Sequence, residues 1–206
     1  MHTQTAIKRI AIVAASFILT SVGRVHAQVA WEAPMMASPR APAGFGVYLA
    51  DVAGGNLGLI GTYRGATAPS GLEFRFGIAE GGPGDDDVNG LFGVSISGLL
   101  ARESGDMPFD IGWVAGAGVG FGDFAVITIP VGLSFGHTFT GDGINITPYV
   151  TPRVHLDIAT GDEVGDDTDL GLSVDLGFDL AVRRGWMLRF GASLGDHEAF
   201  ALGIVF

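Results

Sequence analysis

His155-Leu156-Asp157 sets an imidazole and a carboxylate two residues apart, which on an extended chain puts both side chains on one face. An Asp–His pair can hold and pass a proton. Triad hydrolysis also needs a nucleophile beside the histidine. His155 is followed by Leu156 and Asp157, and His137 by Thr138 and Phe139, so neither supplies one. The pair reads as part of a polar interior, and no catalytic residue is assigned. His197, near the C-terminus, reads as solvated in a short turn.

The face that carries His155 and Asp157 also carries most of the charge. Arg64, Arg75, Arg153, Arg183 and Arg189 stand against Glu73, Asp110, Asp157, Asp175 and Asp179. Cross-strand registers bring Arg64 near Glu73, Arg153 near Asp175, and Arg189 near Asp179. An unpaired charge in a narrow low-dielectric interior costs on the order of several kcal/mol, so pairing is expected. One function for such a network is a salt-bridged constriction that blocks or gates a pore. The simpler reading, preferred here, is a polar interior that satisfies itself. The many glycines on this face argue the other way, because they leave volume unfilled. Acidic runs at Asp85, Asp86, Asp87, Asp162, Glu163, Asp166 and Asp167 offer carboxylates to Ca²⁺. Their spacing does not match an EF-hand loop. Solvated loops are expected, with no metal site and no cofactor.

The elements that position these residues are strands. Leu170, Leu172, Val174, Leu176, Phe178, Leu180 and Val182 alternate with Gly171, Ser173, Asp175, Gly177, Asp179 and Ala181. That is period 2, and no helical period competes with it after the first 27 residues. Ten segments of this kind are expected, at 44–52, 56–64, 71–80, 90–100, 108–119, 125–139, 144–158, 169–183, 186–194 and 198–206. Residues 28–43 lack the period and contain three prolines in 28–42, so they read as a flexible periplasmic leader.

Residues 1–27 read as a secretory signal: basic Lys8 and Arg9, the apolar run 10–19, and Val25-His26-Ala27 as a small-x-small cleavage site. Loss of Lys8, Arg9 and Arg24 leaves 8 bases against 22 acids, a net charge of −14, and no lysine. That balance argues against nucleic acid, whose binding relies on Lys and Arg. The chain has no cysteine, so it has no disulfide framework or thiolate metal site.

Mean hydropathy is +0.41, yet outside the signal no apolar run is long enough for a membrane helix, so the apolar residues are spread in alternation. A soluble barrel hides its apolar face and solvates the other with Lys and Glu; a membrane barrel does the reverse. The polar face here holds Gly, Ser, Thr, Arg and Asp without Lys, and 33 of 34 glycines follow the signal. A closed antiparallel transmembrane β-barrel of about ten strands (eight is the alternative) in an up-and-down meander is therefore expected over 44–206. Closure follows because lipid satisfies no backbone donor.

An even strand count puts both termini on the periplasmic side. The two acidic runs then share the outer side, and Thr140-Gly-Asp-Gly143 the inner. Phe45, Tyr63, Phe109, Phe139, Trp186 and Phe206 fall at the periplasmic rim as an interfacial girdle. Pro130, Pro148 and Pro152 lie inside strands, where a ladder loses donors. A turn at 140–143 pairs Pro130 with Arg153, and a bulge is expected there.

With its cleavage site, its alternating strands from Phe45 and its closing Ala199-Phe-Ala-Leu-Gly-Ile-Val-Phe206, the chain resembles the small outer-membrane β-barrels of the outer-membrane-protein A and X type. The resemblance covers about 160 residues and carries no catalytic motif. It implies export to the Gram-negative outer membrane, with lipid and lipopolysaccharide as surroundings. A middle reading of the acidic loops, between a Ca²⁺ site and plain solvation, is that divalent ions bridge them to lipopolysaccharide phosphates. The resemblance also implies insertion by the barrel-assembly machinery, which reads hydrophobic residues in the last strand: here Phe200, Leu202, Ile204 and Phe206. Ala201 stands where that family often has glycine. A non-enzymatic structural or surface-interaction role is expected. The alternatives are a narrow porin-like pore for small solutes and a lipid-modifying enzyme centred on His155 and Asp157. Oligomeric state is open.

Overall fold

In a computed structural model the segments form a closed antiparallel barrel of ten staves in up-and-down order. The structure describes residues 30–52, 57–65, 70–80, 88–122, 124–160, 167–183 and 185–206. The segment 1–27 read as a signal, the acidic runs 85–87 and 162–166, and the side chains of Val52, Val182 and Arg183 lie outside that description.

The strands are β1 (Gly44–Val52), β2 (Leu57–Arg64), β3 (Ser70–Glu80), β4 (Val88–Ala101), β5 (Asp110–Phe121), β6 (Ala125–Gly136), β7 (Phe139–Gly141), β8 (Ile144–Thr160), β9 (Asp167–Arg183), β10 (Trp186–Gly195) and β11 (Ala199–Val205). β6 and β7 form one stave interrupted at 137–138, and both pair with β8. A two-residue turn joins β7 to β8. Asp142 and Gly143 both take positive φ there (36° and 82°), the conformation that suits the twist of a tight hairpin. β1 closes the ring against β11, and Phe45 and Phe206 exchange two backbone hydrogen bonds of 2.8 Å. Every strand pair is antiparallel.

The bulge expected at the prolines is absent. β6 and β8 keep one register throughout, with Pro130 opposite His155 and Gly132 opposite Arg153. The prolines remove pairs instead of shifting them. The β5–β6 ladder skips 116–117 opposite 129–130, and the β6–β8 ladder skips 133–134 opposite 151–152. Each gap lies beside a proline that has no N–H to give. Register shifts occur elsewhere, at Leu99/Ala101 and Trp186/Met187.

Alternation sends the bulky apolar side chains outward. Along β9, Leu170, Leu172, Val174, Leu176 and Phe178 are exposed, whereas Gly171, Ser173, Asp175 and Asp179 are buried. β11 repeats this, with Phe200, Leu202 and Ile204 out and Ala201, Gly203 and Val205 in. Phe45, Tyr63, Phe109, Phe139, Trp186 and Phe206 are all exposed, on strands or turns at the end of the barrel where Gly44 and Phe206 lie.

The structure corrects the flexible leader expected over 28–43 in its part 30–38. Residues 30–36 and Ser38 are buried inside the barrel and run up its lumen as a plug. Trp31, Met35 and Met36 gain an apolar environment there that water would deny them.

Candidate functional site

The lumen is filled by the chain's own N-terminal segment, seated in a cradle of glycines. Trp31 is 1% exposed and lies over Gly93, Gly116 and Gly118. A Cβ at Gly116 would come within 2.8 Å of its ring, and one at Gly93 would overlap it. The indole Nε1–H donates to the Thr128 carbonyl at 3.0 Å, so the ring's polar edge is satisfied. Gly191 makes room for Met36 and Pro34, and Gly112 and Gly136 make room for Pro39. Lower in the barrel Tyr48 lies over Gly203 and Tyr149 over Gly177. The volume left by these glycines is thus occupied, while toward the Gly44 end Gly65, Gly71 and Gly98 line a cavity of about 640 Å³.

Polar groups of the wall hold the segment's backbone. Arg75, 2% exposed, donates to the carbonyls of Trp31, Pro34 and Met35 at 3.2, 2.8 and 2.9 Å. It therefore serves the plug more than Glu73, which lies 3.7 Å away. Ser134 and Thr151 both donate to the Ala37 carbonyl, and Thr151 also donates to Ser134 at 3.0 Å. Near the end marked by Gly44, Arg40 pairs with Asp110 through both of its forks. Glu103 closes that group: its N–H donates to Asp110 at 3.0 Å and its carboxylate meets His137 at 2.9 Å. Asp110 is thereby paired chiefly with Arg40, just after the plug, and the charge of Arg102 adds to this.

The three ion pairs read from register are present. Arg189 donates to Asp179 twice, at 2.7 and 2.8 Å, the bidentate geometry in which guanidinium–carboxylate pairs are strongest. Arg64 and Glu73 stand opposite each other at 3.9 Å. Arg153 is the hub, donating to Asp175 at 2.9 Å, Ser193 at 3.1 Å and Glu32 at 3.1 Å. Arg183 belongs to the expected network, but its side chain lies outside the described residues.

Glu32 links that hub to a second cluster at the opposite end of the barrel, beside the turn from β10 to β11. Its Oε1 meets His197 Nδ1 at 2.5 Å, and His197 Nε2 meets Asp157 Oδ2 at 3.1 Å. Asp157 also accepts from Thr128 at 2.7 Å and stands 3.4 Å from His155 Nε2. The His155 and His197 rings stack with centroids 4.1 Å apart. His197 is not a solvated turn residue, as its side chain is only 18% exposed. Burial opposes a charge on this imidazole, but hydrogen bonds to Asp157 and Glu32 outweigh burial and raise its pKa to about 10.

Trp31, Glu32 and His197 were invisible to local sequence reading. Their partners are distant in the chain, and contacts made across a closed ring leave no periodic trace. A signal was nonetheless present: Trp31, Met35 and Met36 are unusual in a solvated leader, and the luminal glycines call for an occupant. The cradle makes a specific expectation. Gly93→Val forces the Trp31 indole out, costing about 1–3 kcal/mol for overpacking. Fluorescence of Trp31, read with Trp113 and Trp186 replaced by Phe, shifts to the red in that variant. Gly141→Val, at a site with nothing within 4 Å of a Cβ, leaves it unchanged.

No protein-family model, no curated protein and no solved structure matches this chain, so the geometry alone carries the functional argument.

Proposed function

We propose that this chain is an integral barrel of the Gram-negative outer membrane, sealed by its own N-terminal segment, with a structural or surface-interaction role and no enzymatic one. One observation carries the reading: the barrel is apolar outside and polar inside, with residues 30–38 seated in the lumen. In water such an outer wall is unfavourable by about 25 cal/mol for each Å² of apolar surface, whereas acyl chains accept it without cost. Apart from the three-residue β7, which continues the stave of β6, strands of 7 to 17 residues suit the roughly 9–11 that a tilted transmembrane strand needs. Phe200, Leu202 and Ile204 of β11 and Phe206 after it face outward, which suits recognition of a terminal strand by the barrel-assembly machinery. Lipid and lipopolysaccharide are the surroundings this wall fits.

The plug favours the scaffold over the pore. The polar neighbours of His155 are Asp157, His197 and Arg153, which suits charge compensation better than lipid-modifying chemistry. Planar-bilayer recording of the mature chain tests the reading. It is expected to show no stable open steps; regular stepwise conductance would overturn the sealed scaffold and promote the pore.

A further inference from the structure

The end of the lumen beside the β10–β11 turn gathers more metal-binding chemistry than a plug needs. Glu32, His155 and His197 each present one ligand atom, and these atoms lie within 4.8 Å of one another. They come from three separate elements: the plug, β8 and the β10–β11 turn. Glu32 and His155 are 0% and 1% exposed. Glu32 uses Oε1 for Arg153 and His197, while its buried Oε2 has no hydrogen-bond partner. His155 Nε2 is likewise buried without a hydrogen bond, although Asp157 lies 3.4 Å away. A buried acceptor left unsatisfied is costly, so Glu32 Oε2 asks for a cation. His155 Nδ1 faces the Arg153 guanidinium at 3.4 Å and can only accept from it, which leaves the ring proton on Nε2, where a metal ion would displace it.

The charges agree. The cluster is acidic, with Glu32, Asp157 and Asp175 against Arg153, and a divalent ion that takes the place of the His197 proton offsets more of that charge. Gly171 makes room for the His155 ring: a Cβ there would overlap Nε2 and meet Asp196 Oδ2 at 2.9 Å.

We propose that Glu32, His155 and His197, completed by Asp157, bind one divalent transition-metal ion of the Zn²⁺ class and so lock the N-terminal segment to the barrel wall. Two imidazoles with carboxylates suit Zn²⁺ and its first-row neighbours. Ca²⁺ and Mg²⁺ take oxygen ligands and are disfavoured. An imidazole holds a metal in its own ring plane, so the stacked rings of His155 and His197 swing apart on binding. His197, on a turn outside the strands, supplies most of that motion. The ion then cross-links plug, β8 and the β10–β11 turn at one point, and it needs no substrate to do so.

The test uses the untagged mature chain refolded in detergent, titrated with Co²⁺ as a coloured stand-in for Zn²⁺. One equivalent is expected to bind, with visible d–d bands of low coordination number that Zn²⁺ bleaches. His197→Gln and Glu32→Gln are each expected to weaken Co²⁺ binding by about tenfold or more. His137→Ala, at the opposite end, is expected to bind as the parent does. Heat-modifiable gel migration reports the barrel separately, so a failed barrel and a failed metal site are distinguishable. The proposal is overturned by a folded parent that binds no Co²⁺. It is equally overturned by binding that both Gln variants leave intact, the result expected if ions sit only on the acidic loops.

Discussion

Arg153→Met lowers the unfolding free energy of the folded barrel by about 3–5 kcal/mol, the range for removing one partner from a buried charge pair. Methionine keeps much of the side chain's volume, so the loss is electrostatic more than steric. Arg153 is fully buried and holds two buried carboxylates from opposite directions, Asp175 on the wall and Glu32 on the plug. Without it both anions stay in a low-dielectric lumen with His197, among the described residues, as the one remaining cation in contact with Glu32. Reversible urea unfolding in phospholipid vesicles measures the change. Adding Asp175→Asn to the Met variant removes one stranded charge, and the double variant is expected to recover part of the loss. If Arg153→Met costs no more than a surface substitution, the hub is not the buried network described above.

Deleting residues 30–38 converts a sealed barrel into a conducting one. Those residues supply the indole over Gly93, Gly116 and Gly118 and the carbonyls that occupy Arg75. Once they are gone, the glycines leave an open path, and Arg75 and Arg153 line it without their plug partners. Steps in planar bilayers are expected where the intact chain gives none, with anion preference from the freed guanidiniums. Trp31→Ala is the milder version, costing about 3–5 kcal/mol for a buried indole and loosening the plug without removing it. A deletion variant that assembles and still does not conduct would mean that the wall collapses onto its own lumen.

Much of this was legible in the sequence, because period 2 is a local property. Leu170 to Leu180 announce β9 and its outward face without knowledge of any other strand. Register then carries the reading one strand further, which is why Arg153 with Asp175 and Arg189 with Asp179 could be named. Three features resisted for physical reasons. The prolines of β6 and β8 were expected to bulge the sheet, yet a ladder can lose single pairs and keep its register when neighbouring pairs hold it. Residues 30–38 are aperiodic because a plug follows the lumen and not a lattice of hydrogen bonds, so they looked like a leader. His197 sits two residues from β11, and its partners Glu32 and Asp157 are 165 and 40 residues away, meeting it only once the barrel is closed.

Spin-label accessibility along β9 in lipid vesicles tests the inside-out arrangement most directly, and the absence of native cysteine makes single labels clean. Labels at Leu172→Cys, Val174→Cys and Leu176→Cys are expected to meet oxygen dissolved among acyl chains and to be shielded from a water-soluble nickel chelate. A label at Ser173→Cys is expected to be shielded from both, since the lumen beside it is filled. Chelate access at the leucine and valine sites, with oxygen access at Ser173, would contradict the inside-out arrangement.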